Sequence, residues 1–142
     1  MPEPTGQTPD PAALIEALPV ALVCTDDDEH YTLRFANQQA ARLLGYELEK
    51  FLHGKKYVAA TAVHPDDLHL LERADHLHRQ GHERIVLRYR LIASDGTEVP
   101  VLDVGARRVD DAGKLLGFTS VLVDLREVPA LQGPSVILSK LP

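Results

Sequence analysis

The sequence has one cysteine, no lysine or arginine run longer than two residues, and no apolar run near the length of a membrane-spanning helix. A lone Cys24 cannot close an internal disulfide, which excludes a disulfide framework and fits a reducing compartment. Net charge is -6 with the histidines neutral. Non-specific nucleic-acid binding needs a phosphate-neutralising basic surface, so duplex DNA or RNA is not an expected partner. A bilayer span takes about 20 apolar residues, and Met1-Pro2-Glu3-Pro4 has neither the basic nor the apolar region of a secretory signal. The expectation is a cytoplasmic protein without membrane contact. Enzyme signatures are missing too. There is no Gly-rich phosphate loop, no Gly-x-Ser-x-Gly elbow and no His-Glu-x-x-His pair, so no catalytic residue is assigned. No internal repeat or low-complexity tract interrupts the chain.

What is present suits one ordinary domain. A chain of 142 residues with 44% hydrophobic and 25% charged residues can bury a sizeable core without a covalent staple. Residues 1–11, rich in proline, read as a flexible lead, 12–127 as the domain and 128–142 as a tail. Asp10-Pro11 is an N-cap followed by proline at the first helical position, and Leu14, Ile15 and Leu18 give that helix a short apolar face up to Pro19. Val20 to Cys24 reads as a buried strand, in which Cys24 is an inert thiol. Thr25 to Glu29 forms a solvated acidic turn and Tyr31 to Phe35 a second strand. Asn37 caps a helix over Gln38 to Leu44 that stops at Gly45. Tyr46 to Ala62 is short-helical or irregular, with Leu48, Phe51, Leu52, Tyr57 and Val58 available to the core.

His64-Pro65-Asp66-Asp67 opens the clearest helix, with an aspartate as its cap, running to about Gln80 and closed by Gly81. Leu70, Ala74 and Leu77 share its apolar face with Leu71 and His78 beside them. His69, Arg73, His76 and Gln80 form a polar stripe. Three strands follow. Ile85, Leu87, Tyr89 and Leu91 alternate with Val86, Arg88, Arg90 and Ile92, and Asp95-Gly96 makes a turn. Glu98 to Val109 returns, Asp110 to Gly113 turns again, and Leu115 to Leu125 closes the set. Strands, then short helices, then strands imply an α+β fold with an antiparallel sheet.

This punctuation resembles the PAS family over roughly residues 12–127. The matching pieces are Leu18-Pro19-Val20-Ala21 and Thr25-Asp26, Asn37 with Leu43-Leu44-Gly45-Tyr46, and the His64-Pro65-Asp66-Asp67 opening of a connector helix. Tyr89-Arg90-Leu91 through Asp95-Gly96, Asp111-Ala112-Gly113-Lys114 through Gly117, and Asp124-Leu125 complete the pattern. The resemblance implies a PAS-like five-stranded antiparallel sheet with short helices on one face, enclosing a pocket. It further implies a bacterial sensory or signalling module that binds a small ligand or a protein partner, and not an enzyme. The alternative is a ligand-free scaffold for dimerisation or protein interaction.

Several ligands are weighed on that basis. Cysteinyl-flavin photochemistry needs a cysteine in the middle helices, and Phe51 to Ala62 has none. Haem would need a connector-helix histidine, for which His69 and His78 are the candidates. The cofactor therefore stays open between none, haem and non-covalent flavin. His78 and His82 lack a third ligand for zinc, and the acidic turns lack the spacing of a calcium loop, so no metal site is assigned. Arg88 and Arg90 share a strand face that Asp103 could reach from the returning strand, as a salt bridge or an anion site. The expected pocket residues are Tyr57, Leu71, Arg88, Tyr89, Arg90 and Asp103. Val128 to Pro134 breaks any coiled coil after the last strand. The expected partners are accordingly a second copy or a separate effector such as a histidine kinase or response regulator. Val136-Ile137-Leu138 is expected to dock on the sheet or on that partner.

Overall fold

The computed structural model describes residue 6 and residues 8–28, 31–45, 47, 62–128 and 135–140, the last of these as backbone. Helix α1 (Pro11–Ala17) starts as expected, with the Asp10 carboxylate accepting from the Ala13 N–H at 3.2 Å. Its Leu14 is exposed, however, and only Ile15 and Leu18 are half-buried. Strands β1 (Ala21–Asp26) and β2 (Leu33–Ala36) form a hairpin, each shifted by a residue or two from the sequence pattern. Helix α2 (Gln38–Leu44) runs from Asn37 to Gly45, and Gly45 takes the left-handed conformation (φ 74°) that ends helices.

Helix α3 (Leu68–Arg79) is preceded by a 3-10 turn, Pro65–Asp67. The cap is not the aspartate expected there. His64 Nδ1 accepts from the Asp66 N–H at 3.1 Å, and Asp67 makes no capping bond. Asp67 is instead buried and turned toward strand β3 (Arg84–Ile92), where it accepts from Arg90 N at 2.8 Å, Arg90 Nε at 2.9 Å and Arg90 Nη2 at 2.8 Å. Strands β4 (Glu98–Val109) and β5 (Leu115–Asp124) complete the expected set of five.

A sixth strand, β6 (Ser135–Lys140), joins them from the tail, giving the antiparallel order β2-β1-β5-β4-β3-β6. The segment expected to dock therefore docks by its backbone, along Arg84 to Arg88 of β3. Beyond Arg88 the same edge of β3 is covered by Val63, bridged to Leu91, and by the His64 N–H bonded to Arg90 O at 2.9 Å. An open strand edge invites unwanted pairing, and here both halves are occupied.

The core lies between the inner sheet face and the helices. Alternation on β3 sends Ile85, Leu87, Tyr89 and Leu91 inward, all at most 5% exposed, to meet Leu70 and Ala74 of α3 and Ala40 and Leu44 of α2. The expectations for Leu48, Phe51, Leu52, Tyr57 and Val58 fall outside the described residues.

Candidate functional site

A cavity of about 90 Å³ opens between α3 and the inner face of β1, β3, β4 and β5. The helix contributes Leu71, Ala74, Asp75 and His78, the sheet Val23, Thr25, Ile85, Leu87, Tyr89, Asp103, Gly105, Phe118 and Ser120, and Tyr31 stands just before β2. These positions follow from strand register. Leu87 faces Asp103, Ile85 faces Gly105, and Gly105 faces Ser120, so one acid sits beside a hydroxyl in a mostly apolar row.

That acid is Asp103. It is buried, Tyr89 Oη donates to its Oδ2 at 2.6 Å, and the Ser120 hydroxyl also bonds it. Burial pushes its carboxyl up to about 6, against the pull of those two hydroxyls. Folded protein thus holds a proton that the unfolded chain releases near pH 4. Stability from this group is complete below that pH and is lost as pH rises through about 6. Asp103→Asn keeps the shape and an acceptor for Tyr89. It is expected to be more stable than the parent by on the order of 1–3 kcal/mol near pH 7.5 and equal to it near pH 4. Urea titrations at the two pH values check this, and an asparagine penalty at both would contradict it.

The register also corrects the sequence reading of the arginines. Asp103 shares a face with Leu87 and Tyr89, whereas Arg88 and Arg90 lie on the opposite phase of β3, so neither meets Asp103. Arg90 is held by Asp67, whose carboxyl lies below its ordinary range chiefly because of the arginine hydrogen bonds. Asp67→Asn should lower the melting temperature by several degrees near neutral pH. The difference should close as pH falls through the depressed Asp67 range, because protonation removes the same charge. A difference that persists in acid would rule this out.

The histidines separate cleanly. His69 and His76 are exposed on the polar stripe. His78 is buried against Phe118 (centroids 5.2 Å apart), with Nδ1 bonded to His82 O at 2.8 Å, and desolvation lowers its pKa. The residues do not fit haem. His69 is exposed and outside the described lining, His78 lines the cavity but has Nδ1 bonded to His82 O at 2.8 Å, and about 90 Å³ falls well below the roughly 300–1,000 Å³ of sites for drug-sized ligands. The same volume does not fit a flavin. Among the described residues, no group of three His, Cys, Asp or Glu side chains could hold a metal ion.

Sequence reasoning missed the rim. Tyr31 sits at φ 54° and sets its ring edge-on to Phe118 at 6.1 Å. Its hydroxyl is pushed up to about 12 by burial and by Asp75. Arg79 pairs with Asp75 at 3.1 Å and with Asp27, tying the β1–β2 turn to α3. Asp26 likewise pairs with Arg34 and Arg108, so these turn acids are ion-paired and not merely solvated. Cys24 is half-buried on the outer sheet face, with Sγ 3.5 Å from Thr119 Oγ1, and is not the buried thiol expected. Leu71, Tyr89, Asp103 and His78 are thus brought together, Arg88, Arg90 and His69 are not, and Tyr57 is outside the described residues.

An antiparallel sheet packed against a helix, with a small cavity between them, defines an α+β domain. A model of the PAS fold matches residues 33–122, and the chain belongs to the PAS family. Its fold is similar to a PAS domain from Colwellia psychrerythraea (TM-score 0.69, 16% identity, 82% of this chain and 94% of that one). It is also similar to a PAS domain from a two-component sensor histidine kinase (TM-score 0.63, 14% identity, 79% and 90%). By sequence it is similar to the uncharacterized protein y4lL of Sinorhizobium fredii, with 35% identity over 67 residues. That match takes in 47% of this chain and 8% of that protein, so the relative is far longer than the shared segment. Among the described residues no helix is long and apolar enough to cross a membrane.

Proposed function

We propose that this PAS domain is a non-catalytic sensor that takes a small ligand in the cavity beneath α3 and reports it to a signalling partner. The observation that carries this reading is a buried, protonatable carboxyl, Asp103, facing a cavity with otherwise mostly apolar walls. A few placed polar groups in an apolar concavity are what ligand sites generally offer. Since a water needs about 10–15 Å³ on this measure, the space suits a ligand of about six non-hydrogen atoms. The partner is a signalling effector of the histidine-kinase type, a class in which one of the similar PAS domains is found. The site of action is the cytoplasm. Amide NMR against a set of small fragments tests the reading. Shifts should gather at Leu71, His78, Tyr89 and Asp103, and a set in which no fragment moves these residues would reject it.

One observation favours a scaffold acting through the outer sheet face. Leu22, Val121, Val104 and Val86 are register partners across four strands, point away from the cavity and are each half-exposed. A contiguous apolar row on a sheet surface is a recurrent association site. Val104→Lys should then abolish dimers in light scattering without moving the cavity resonances. A parent that is monomeric at high concentration would remove this second reading.

A further inference from the structure

Asp103 is a buried acid with no cationic partner among the described residues, its bonds going to the neutral hydroxyls of Tyr89 and Ser120. A buried carboxylate is costly unless a positive charge meets it. Among the described residues, the arginines near the cavity reach groups other than Asp103, although Arg107 Nε and Arg108 Nε are buried without a hydrogen-bond partner. Arg79 pairs with Asp27 and Asp75, Arg107 donates to His78 O at 3.2 Å, and Arg108 donates to Thr25 O at 3.3 Å. Among the described residues no lysine or arginine lines the cavity, while Asp75 adds a second acid and Tyr31, Tyr89 and Phe118 add aromatic rings. Gly105 leaves the approach open: a Cβ there would lie 3.0 Å from Ser120 Oγ and 3.3 Å from Asp103 Oδ1. We infer that the ligand of this cavity is a small primary ammonium ion, whose charge meets Asp103 and whose alkyl part rests among Leu71, Leu87 and Phe118. This rests on the reading of the cavity as a ligand site.

The chemistry favours a cation over the alternatives. An anion would face Asp103 and Asp75 with no lysine or arginine among the described lining residues to offset them. A neutral alcohol would find hydroxyl partners but would leave the Asp103 charge unmet. An ammonium group supplies three donors and is attracted to aromatic faces, and both properties are served by the same walls. Among the described residues, the titratable groups facing this site are Asp75 and His78 from α3, Tyr31 before β2 and Tyr89 from β3. Desolvation lowers the His78 pKa, which disfavours a competing positive charge beside the site.

Propylammonium, 1-propanol and propionate, matched in size, provide the test on the full chain by calorimetry and amide NMR. Near neutral pH, propylammonium should bind at least about tenfold more tightly than 1-propanol, shifting Leu71, Tyr89 and Phe118, and propionate should bind weakest. Its affinity should fall about tenfold near pH 5, where Asp103 regains its proton. Salt at about 0.15 M should change it little, since a buried pair is poorly screened. Asp103→Asn should remove the preference for the ammonium ion over 1-propanol. Gly105→Ala should weaken propylammonium by narrowing the approach to Asp103. Preferred binding of 1-propanol or propionate at the cavity residues would overturn the amine assignment and leave the ligand site standing. If none of the three moves those residues, both fall.

Discussion

Asn37→Asp is expected to destabilise the domain by at least about 3 kcal/mol near neutral pH, although it changes one amide nitrogen to oxygen. Asn37 is fully buried, and all four of its hydrogen-bonding directions are used. Its Oδ1 accepts from Leu22 N at 3.0 Å and Ala40 N at 3.1 Å, and its Nδ2 donates to Ile15 O and Val20 O, each at 3.0 Å. One side chain therefore caps α2 and fastens α1 and β1 to it. An aspartate keeps the acceptor side but sets a carboxylate oxygen against two carbonyls, with no water to separate them. Protonation restores one donor, so the penalty should shrink as pH falls toward 5, the direction expected of a buried acid whose pKa is raised. Urea denaturation across that range checks both features. A penalty under about 1 kcal/mol, or one that grows in acid, would show that Asn37 is only a surface cap.

Gly117→Ala should cost about 3 kcal/mol or more, for a different reason. Gly117 of β5 is opposite Asp26 of β1, and an added Cβ would stand 2.0 Å from Thr25 O and 3.0 Å from Asp26 Cα. Both are backbone atoms, so relief requires β1 to move off β5. Gly105→Ala is the control, because its nearest obstacles are the tips of the Ser120 and Asp103 side chains, and it should cost less than about 1 kcal/mol. Equal losses for the two alanines, read from chemical denaturation, would refute the claim that strand approach sets the need for glycine.

Local chemistry made much of this fold legible. Asp10, Asn37 and Gly45 announce the ends of α1 and α2 because capping is a contact within a few residues. The alternation of β3 and the Asp95-Gly96 turn announce the hairpin to β4. The face of Asp103 was harder to read, because β4 is apolar on both phases. Val99 and Val101 run with Asp103, while Leu102 and Val104 run against it. A shift of one residue moves every side chain to the other face. The pairing of Ile92 with Glu98 fixes the phase, and with it the pairing of Leu87 with Asp103. Asp67 misled for a related reason. As the residue before α3 it has the composition of a cap, yet Arg90, distant in sequence, offers a charged bidentate partner that outcompetes helix amides. The rim of Tyr31, Asp75 and Arg79, and the strand β6, depend on such distant pairings and leave no periodic trace in the chain.

The ligand-site reading depends on Asp103 standing inside a desolvated cavity instead of beside an arginine or in water. Carbon NMR of its carboxyl through a pH titration measures that directly, with Asp103→Asn used to assign the resonance. The expected midpoint is about 6, displaced toward lower pH when propylammonium is present. A midpoint near 4, unmoved by the amine, would mean an exposed or salt-bridged carboxylate and would contradict it.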